Sequence, residues 1–314
     1  MAGEGLKYFT VVSWWDGLLL HAARVMPPKG TALRGVVLLV HGMSEHKERY
    51  AKTMRYLAAH GYACVIYDHR GHGHSVASRK DLGYMGPEGD QALISDAHQM
   101  LMETKKLFPA MPVHVLGHSM GSLIVRCLLQ RWDDEMASLT VLGCVGANAL
   151  APVGVWLARA LTCLVGERHR SRFLTKLAFG AYNQKFQPAT SDNAWICSDM
   201  AVVEAYDANP LCRFTFTLNG YEALFKLVRR CYQKEGWRVG NPELPILMIS
   251  GADDPCMNGI SGLLDAADFL RARGYRHVQV SAYPGMRHEV LNERGKEAVW
   301  EQVVAQYQAC ESHA

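Results

Sequence analysis

The feature that most constrains this chain is a serine between two glycines, at the junction of a β-branched run and an apolar helical pattern. The run that begins at Val113 predicts a strand, and the pattern that follows Ser119 predicts a helix. Where a strand turns this sharply into a helix, the two elements nearly touch, so the residues two before and two after the serine must be very small. Gly117 and Gly121 meet that requirement. The turn should therefore project the Ser119 hydroxyl beyond the end of the strand.

Aliphatic runs and helical patterns alternate along most of the chain. The expected strands are residues 8–13, 18–25, 35–40, 62–67, 113–118, 139–145, 245–250 and 277–283, and the expected helices are residues 49–60, 91–108, 120–131, 260–274 and 295–310. This alternation predicts an α/β fold with a mostly parallel, doubly wound sheet and helices on both faces.

The alternation stops between residues 148 and 235, a segment richer in aromatic residues and helical patterns. An insertion of this size after the carboxyl end of a strand lies above the ligand crevice of such a sheet. We therefore expect this stretch, called the cap segment below, to be a helical cap or lid. Residues 1–147 and 236–314 are then the two parts of a single core.

Composition excludes several classes of protein. The chain has 314 residues with 33 basic and 30 acidic side chains, a net charge of +3, which is no electrostatic footprint for nucleic acid. Its nine cysteines are scattered without a C-x-x-C pair, so we expect reduced thiols. Neither a secretory signal nor an apolar run of membrane-spanning length is evident. These features predict a cytoplasmic protein, with peripheral contact to a membrane left open.

A serine hydroxyl is a weak nucleophile that needs an imidazole as base and a carboxylate to orient that imidazole. His288 follows the last expected strand, and Asp253 and Asp254 follow the strand before it. Spacing alone leaves the choice between the two aspartates open, and either carboxylate would also suit the cap of the next turn.

With these residues in place, the chain resembles the α/β-hydrolase superfamily, and more narrowly the group of monoacylglycerol lipases, lysophospholipases and serine aminopeptidases. The resemblance covers nearly the whole chain. The matching motifs are VHGMSEH at residues 40–46 with Arg49 and Tyr50, DHRGHGHS at residues 68–75, GHSMG at residues 117–121, SGADDP at residues 250–255 and YPGMRHE at residues 283–289.

The resemblance implies the α/β-hydrolase fold and assigns a role to each matched position. Ser119 is the expected nucleophile and His288 the expected base. The family's acid lies three residues after the glycine that ends its strand, which selects Asp254. The backbone N–H groups of Met43 and Met120 are the expected donors to the oxyanion. The resemblance implies no metal and no organic cofactor.

The implied reaction is hydrolysis of a lipid monoester, a monoacylglycerol or a lysophospholipid, through an acyl-enzyme. Apolar residues at helical spacing in the cap segment, among them Trp156, Leu157 and Leu161, would line an acyl-chain tunnel or touch a membrane surface transiently. Simple packing of this face on the core is an equally good interpretation.

Two groups of charged residues have open interpretations. Arg168, Arg170 and Arg172 either steer anionic headgroups or form a solvated loop. Glu45 and Arg49 are spaced to pair across one helical turn, which would hold the loop that contains Met43; a solvated pair is an equal alternative.

A cluster of histidines beside an aspartate raises the question of a zinc site. Glycines interrupt the run, so no rigid element carries the ligands, and the resemblance explains it as a structural loop. We therefore expect no metal there. Its members are Asp68, His69, His72 and His74.

Other functions remain as alternatives. A serine aminopeptidase would need a carboxylate in the cap segment to bind a free amine, and Glu204 and Asp207 are available. A short-chain carboxylesterase would use the same three catalytic residues. Epoxide hydrolases and dehalogenases of this fold have aspartate at the nucleophile position, so Ser119 argues against them. A non-catalytic binding protein on the same scaffold would not require the complete set of serine, histidine and aspartate.

Overall fold

The computed structural model describes residues 5–311, and the aliphatic runs within that range form one eight-stranded sheet. The strands are β1 (Lys7–Val12), β2 (Leu19–Val25), β3 (Gly35–Val40), β4 (Tyr62–Tyr67), β5 (Val113–His118), β6 (Ser138–Leu142), β7 (Ile246–Gly251) and β8 (Val278–Tyr283). Every residue of β3 to β7 is buried, as expected of strands covered on both faces.

The strand order is β1-β2-β4-β3-β5-β6-β7-β8. β1 and β2 form an antiparallel hairpin, and β2 also pairs antiparallel with β4. The remaining neighbours are parallel, so the strands from β3 to β8 all end at one edge. The prediction of a mostly parallel α/β sheet is confirmed.

Helices cover both faces of the sheet. They are α1 (Ala51–Ala59), α2 (Gly89–Leu107), α3 (Met120–Leu128), α4 (Ala151–Val165), α5 (Arg172–Phe179), α6 (Met200–Ala208), α7 (Leu218–Cys231), α8 (Gly259–Arg271) and α9 (Lys296–Glu311). Apolar side chains of α2, α3 and α8 pack on one face of the sheet, where α7 covers α2 and α3, and those of α1 and α9 pack on the other face.

Most expected elements occur within two residues of the predicted bounds. The strand expected at residues 139–145 instead ends at Leu142, because Gly143 turns the backbone with a φ of +54°. The helix expected from Arg49 begins at Ala51, after a short 3₁₀ turn over Lys47–Tyr50. The helix that follows Ser119, α3, ends at Leu128, three residues before the expected end.

The cap segment contains α4, α5, α6 and α7, which lie between β6 and β7 in the chain. α7 belongs to the main apolar core through Leu227 and Val228, whereas α4 leaves several large apolar side chains exposed. Within residues 5–311, none of the helices has the length and apolar content that crossing a bilayer requires.

Candidate active site

Ser119 occupies the turn between β5 and α3 with a φ of +54° and a ψ of −119°. Such a φ is strained for a residue with a side chain, and the flanking glycines explain why the turn can close. A Cβ at Gly121 would lie 2.0 Å from the carbonyl oxygen of Val40, and one at Gly117 would lie 2.6 Å from that of Gly121. The turn leaves Ser119 partly exposed at the end of a buried strand.

The structure brings the three residues expected to be catalytic into one hydrogen-bonded chain. Ser119 Oγ lies 2.7 Å from His288 Nε2, and His288 Nδ1 lies 2.8 Å from Asp254 Oδ2. Because a carboxylate only accepts, Nδ1 carries the proton and donates to Asp254, which leaves Nε2 free to accept from Ser119. Asp254 is 2% exposed and His288 is 3% exposed, so little water reaches this pair.

The geometry distinguishes the two aspartates that spacing left open. Asp254 faces His288 and also accepts a hydrogen bond from the backbone N–H of Cys256 at 2.8 Å. Asp253 points away and forms an ion pair with Lys185 of the cap segment. Asp254 therefore both caps the following 3₁₀ turn and contacts the histidine.

The expected oxyanion donors lie on two segments next to Ser119. Met120 is the first residue of α3, and Met43 is in the loop after β3. Within residues 5–311, neither backbone N–H has an intramolecular hydrogen-bond acceptor. Both groups are therefore available to a substrate oxygen, while the neighbouring N–H of Gly42 is already used by Glu45 at 2.5 Å.

Two histidines fix the start of the loop that contains Met43. The backbone N–H of His69 donates to His41 Nε2 at 3.0 Å, and His69 Nε2 lies 3.0 Å from the carbonyl oxygen of His41, to which it donates. Burial lowers the pKa of His41 to about 3, so its ring is neutral and can accept. The loop is therefore clamped to the segment after β4.

A buried network of charges lies beneath the site. Glu45 Oε2 accepts from Arg49 at 2.7 Å, which is the pair expected from helical spacing. Arg49 also binds Glu289 with two hydrogen bonds of 2.7 Å each. Burial alone would lower the pKa of Arg49, but Glu289 and Glu45 raise it well above its ordinary value. Sequence reasoning missed Glu289, although its position directly after His288 was the available signal.

His118, the residue before Ser119, links this network to His288. Its Nδ1 lies 3.2 Å from Glu45 Oε1, and its Nε2 lies 3.3 Å from the backbone carbonyl oxygen of His288. Both partners are acceptors, so both contacts are hydrogen bonds only when the ring carries two protons. Burial alone would lower the pKa of His118, but the hydrogen bond and charge of Glu45 raise it.

The cap segment contacts the site through an aromatic side chain that sequence reasoning did not select. The ring of Trp195 lies 5.1 Å from that of His288, measured between centroids. Its neighbour Ile196 accepts a hydrogen bond at 2.7 Å from the backbone N–H of Glu289. Ser198 donates its backbone N–H to Glu293 at 2.8 Å. These contacts tie the middle of the cap segment to the loop that contains His288.

The three residues expected to contact substrate lie on α4 in two different environments. The side chain of Trp156 is 68% exposed and faces away from the core. Leu157 and Leu161 are partly buried and pack against the main apolar core. The exposed side chain suits a lipid surface, and the two leucines suit either core packing or the wall of a tunnel.

The carboxylates suggested for binding an amine, Glu204 and Asp207, have other surroundings in the structure. Asp207 accepts hydrogen bonds from Ser191 Oγ at 2.6 Å and Asn193 Nδ2 at 2.7 Å, both within the cap segment. Glu204 is exposed on α6.

Possible metal ligands in the site are already used by other contacts. Within residues 5–311, one set of side chains places three such donor atoms within 4.8 Å of one another: Asp254, Cys256 and His288. Burial raises the pKa of the Cys256 thiol well above its ordinary value, so it is a poor ligand. In the histidine cluster considered above, Asp68 is held by a buried ion pair of 2.6 Å with Lys47.

Comparison with known proteins identifies the family of this chain. The family described as "Serine aminopeptidase, S33" matches residues 31–295. A monoacylglycerol lipase of Mycolicibacterium smegmatis is 29% identical over 275 residues, which cover 87% of this chain and 87% of that lipase. A monoglyceride lipase of Mus musculus is 32% identical over 243 residues, covering 76% of this chain and 71% of the mouse enzyme.

Among solved structures, a thermostable carboxyl esterase from Bacillus coagulans in complex with glycerol has a TM-score of 0.90 to this chain. The match covers 98% of this chain and 99% of the esterase at 23% sequence identity. At that identity the likeness establishes a shared fold.

Proposed function

Because the chain belongs to the serine aminopeptidase S33 family of α/β-hydrolases, we propose that it is a carboxylic ester hydrolase acting on lipid monoesters, a monoacylglycerol or a lysophospholipid. The observation that carries the proposal is the chain of hydrogen bonds from Ser119 through His288 to Asp254, at 2.7 and 2.8 Å. Such a chain activates a hydroxyl for attack on an acyl carbon.

In the proposed mechanism, Ser119 Oγ attacks the ester carbonyl while His288 Nε2 takes its proton. Asp254 holds the imidazole in the required tautomer and stabilises the imidazolium that forms. The tetrahedral oxyanion accepts from the N–H groups of Met43 and Met120, each worth about 3 kcal/mol in the transition state. His288 then gives its proton to the departing alcohol, which leaves an acyl group on Ser119.

Hydrolysis of the acyl-enzyme repeats these steps with water as the nucleophile. His288 removes a proton from the water as it attacks the acyl carbon, and then returns a proton to Ser119 Oγ as the carboxylic acid leaves. The free enzyme is regenerated without an external cofactor.

We assign the lipid substrate class from the relatives and from the surface of the cap segment. The two relatives above are monoacylglycerol and monoglyceride lipases. On α4, Trp156 is 68% exposed and Leu164 is 79% exposed, and Phe173 on α5 is 62% exposed. Such side chains are suited to transient contact with a lipid surface. We propose that the cap segment covers the site held by residues 1–147 and 236–314.

The test is hydrolysis of glycerol monoesters over a range of acyl lengths, with an aminoacyl arylamide assayed beside them. We expect kcat/KM to rise with acyl length and the arylamide to be inert. Ser119→Ala should lower kcat by at least about 10⁴-fold.

Ser122→Ala is the matched control, because Ser122 lies one turn further along α3, is fully buried and, within residues 5–311, has no hydrogen-bond partner for its hydroxyl. It should retain activity. Turnover of the arylamide alone would replace the proposal by the aminopeptidase alternative. Wild-type turnover in Ser119→Ala would remove Ser119 as the nucleophile.

A further inference from the structure

A pocket of about 390 Å³ lies where the cap segment meets the loops of the core. Its lining consists of Arg170, Arg172, Arg213, Phe214 and Thr215, and it is called the arginine pocket below. Three of these five residues are cations and none is an acid. The volume lies within the usual range for sites that bind small molecules.

Arg170 carries a charge that its protein contacts do not neutralise. Its guanidinium donates to the carbonyl oxygens of Leu82 at 2.6 Å and Lys80 at 3.1 Å, and to that of Thr215. All three acceptors are neutral. Burial lowers the pKa of Arg170, and no carboxylate of the described residues raises it. A bound anion would supply the missing negative charge.

The other two arginines of the pocket also lack counter-ions. Arg172 is the first residue of α5, and both it and Arg213 are exposed. In the part of the chain that the structure describes, neither guanidinium forms a hydrogen bond or an ion pair with another side chain. Arg168 differs, because it pairs with Asp81. Of the three arginines that the sequence analysis grouped together, Arg170 and Arg172 therefore line the pocket and Arg168 does not, while Arg213 joins them from a later part of the cap segment.

The acidic side chains on adjoining segments form contacts with residues outside the arginine pocket. Asp81 binds Arg168 and accepts from Ser78 Oγ at 2.9 Å. Glu167 accepts from the hydroxyl of Tyr84 at 2.7 Å. Neither carboxylate lines the arginine pocket, so its positive charge is open to an external anion.

The arginine pocket adjoins the loop that carries an expected oxyanion donor. Ser44, which follows Met43, donates its hydroxyl to the carbonyl oxygen of Phe214 at 3.0 Å. Phe214 lines the pocket, so this residue contacts both the pocket and the loop that contains Ser44. The pocket is thus connected through Phe214 to the loop that contains Met43.

We propose that the arginine pocket binds a phosphate group, either on the headgroup of a lysophospholipid or as free phosphate. Guanidinium groups present planar pairs of donors that match phosphate oxygens, and several of them around one pocket favour a multiply charged anion. The headgroup form of this proposal rests on the proposed ester hydrolase function, whereas the free-phosphate form does not.

The first experiment measures the melting temperature in inorganic phosphate against chloride at equal ionic strength. We expect phosphate to raise it in the wild type, because a ligand that binds only the native state stabilises that state. The double variant Arg172→Gln, Arg213→Gln should lose the increase. Arg55→Gln, an exposed arginine on α1 at the opposite face of the sheet, should keep it.

The second experiment compares lysophosphatidic acid with the monoacylglycerol of the same acyl chain, which differ by one phosphate. At low salt, Arg213→Gln should lower kcat/KM for the phosphate ester by roughly tenfold and leave that for the monoacylglycerol within about twofold. Arg55→Gln should change neither value.

The two readouts distinguish the sources of the phosphate. The ratio of kcat/KM for lysophosphatidic acid to kcat/KM for the monoacylglycerol decides between them. If phosphate raises the melting temperature but Arg213→Gln leaves this ratio unchanged, the pocket binds free phosphate. If Arg213→Gln changes the ratio, the pocket binds the headgroup. If neither the melting temperature in phosphate nor this ratio depends on the arginines, the proposal is overturned. Monoacylglycerol hydrolysis would still support the proposed function. Loss of both ester activities in the wild type would instead contradict the proposed function.

Discussion

At the scale of single residues, Glu45 connects the loop that contains Met43 to His288, the proposed catalytic base. Its Oε1 accepts from the backbone N–H of Gly42 at 2.5 Å and from the hydroxyl of Tyr50 at 2.8 Å. The same atom faces His118, which contacts the carbonyl oxygen of His288. Burial alone would raise the pKa of Glu45, but His118 and Arg49 hold it well below its ordinary value. We infer that Glu45 is a positioning residue.

Replacing Glu45 by glutamine should therefore affect both stability and catalysis. Glu45→Gln leaves His118 and Arg49 without part of their counter-charge inside the protein, which should lower the free energy of unfolding by about 3 kcal/mol. Movement of the loop should lower kcat by roughly 10- to 100-fold with little change in KM. Urea denaturation and steady-state kinetics on a soluble ester measure the two effects.

Glu48→Gln is the matched control. Glu48 lies three residues after Glu45, its side chain is partly exposed, and it pairs with His46 and Lys47. It should keep kcat within about twofold. A Glu45→Gln enzyme with wild-type kcat would contradict the positioning role, even if the variant were less stable.

The sequence indicated part of this network. The spacing of Glu45 and Arg49 predicts their contact because four residues make one helical turn. No local pattern indicates that Arg49 also binds Glu289, which lies 240 positions away. That contact depends on how the loop after β8 packs against the segment after β3.

At the scale of elements, the close approach of two loops sets the distance between Asp254 and His288. β7 ends at Gly251, and the loop after β8 passes directly over it. A Cβ on Gly251 would lie 2.2 Å from the carbonyl oxygens of Met286 and Arg287. These are backbone atoms, which cannot rotate away as a flexible side chain would.

Gly251→Ala should thus separate the loop from β7 and lengthen the contact between Asp254 and His288. A displacement of about 1 Å at reacting groups costs on the order of 100-fold in rate, so we expect a loss of that size in kcat. Gly285→Ala is the control: Gly285 has a φ of +76° but its Cβ would meet nothing within 4 Å. It should lose roughly 1 kcal/mol of stability and keep its kcat. Equal kcat in the two variants would contradict this explanation.

At the scale of the whole molecule, buried neutral histidines make stability depend on pH. Burial lowers the pKa of His41 to about 3 and those of His72 and His114 to about 4. Below about pH 6.5 the unfolded chain binds protons that the native rings do not. The contribution of these residues to the free energy of unfolding is complete above that pH. As the pH falls toward 4, each ring lowers the free energy of unfolding by about 1.4 kcal/mol per pH unit. His118, with a raised pKa, works in the opposite direction, because its contribution is lost as the pH rises through its native value.

His114 provides a test away from Ser119 and His288. Its ring stacks on that of Tyr307, with 4.3 Å between centroids, and its Nδ1 lies 2.8 Å from Ser138 Oγ. In His114→Gln, the drop in unfolding free energy between about pH 7.5 and about pH 5 should be smaller than in the wild type by about 2 kcal/mol. Ser138→Ala keeps the imidazole and should retain the wild-type drop. An unchanged drop in His114→Gln would show that this ring does not contribute. Urea denaturation at both pH values provides the measurement.

The sequence by itself determined the elements and the order of the site residues. Strands, helices and the turn at Ser119 follow from hydrophobic periodicity and from glycine, which are properties of neighbouring residues. Ser119, the two aspartates and His288 each follow an expected strand in the sequence, and they are expected to lie near one another because parallel strands end at one edge of the sheet.

Only the tertiary structure decided which groups meet at that edge. It set Asp254, which the family resemblance had already selected, against His288, turned Asp253 toward Lys185 and brought Trp195 beside the His288 ring. Among residues 5–311 it left Arg172 and Arg213 without a carboxylate partner, whereas Arg168 pairs with Asp81. Each of these contacts joins segments far apart in the chain. Their partners are selected by how helices and loops pack on the sheet, which short-range sequence patterns do not encode.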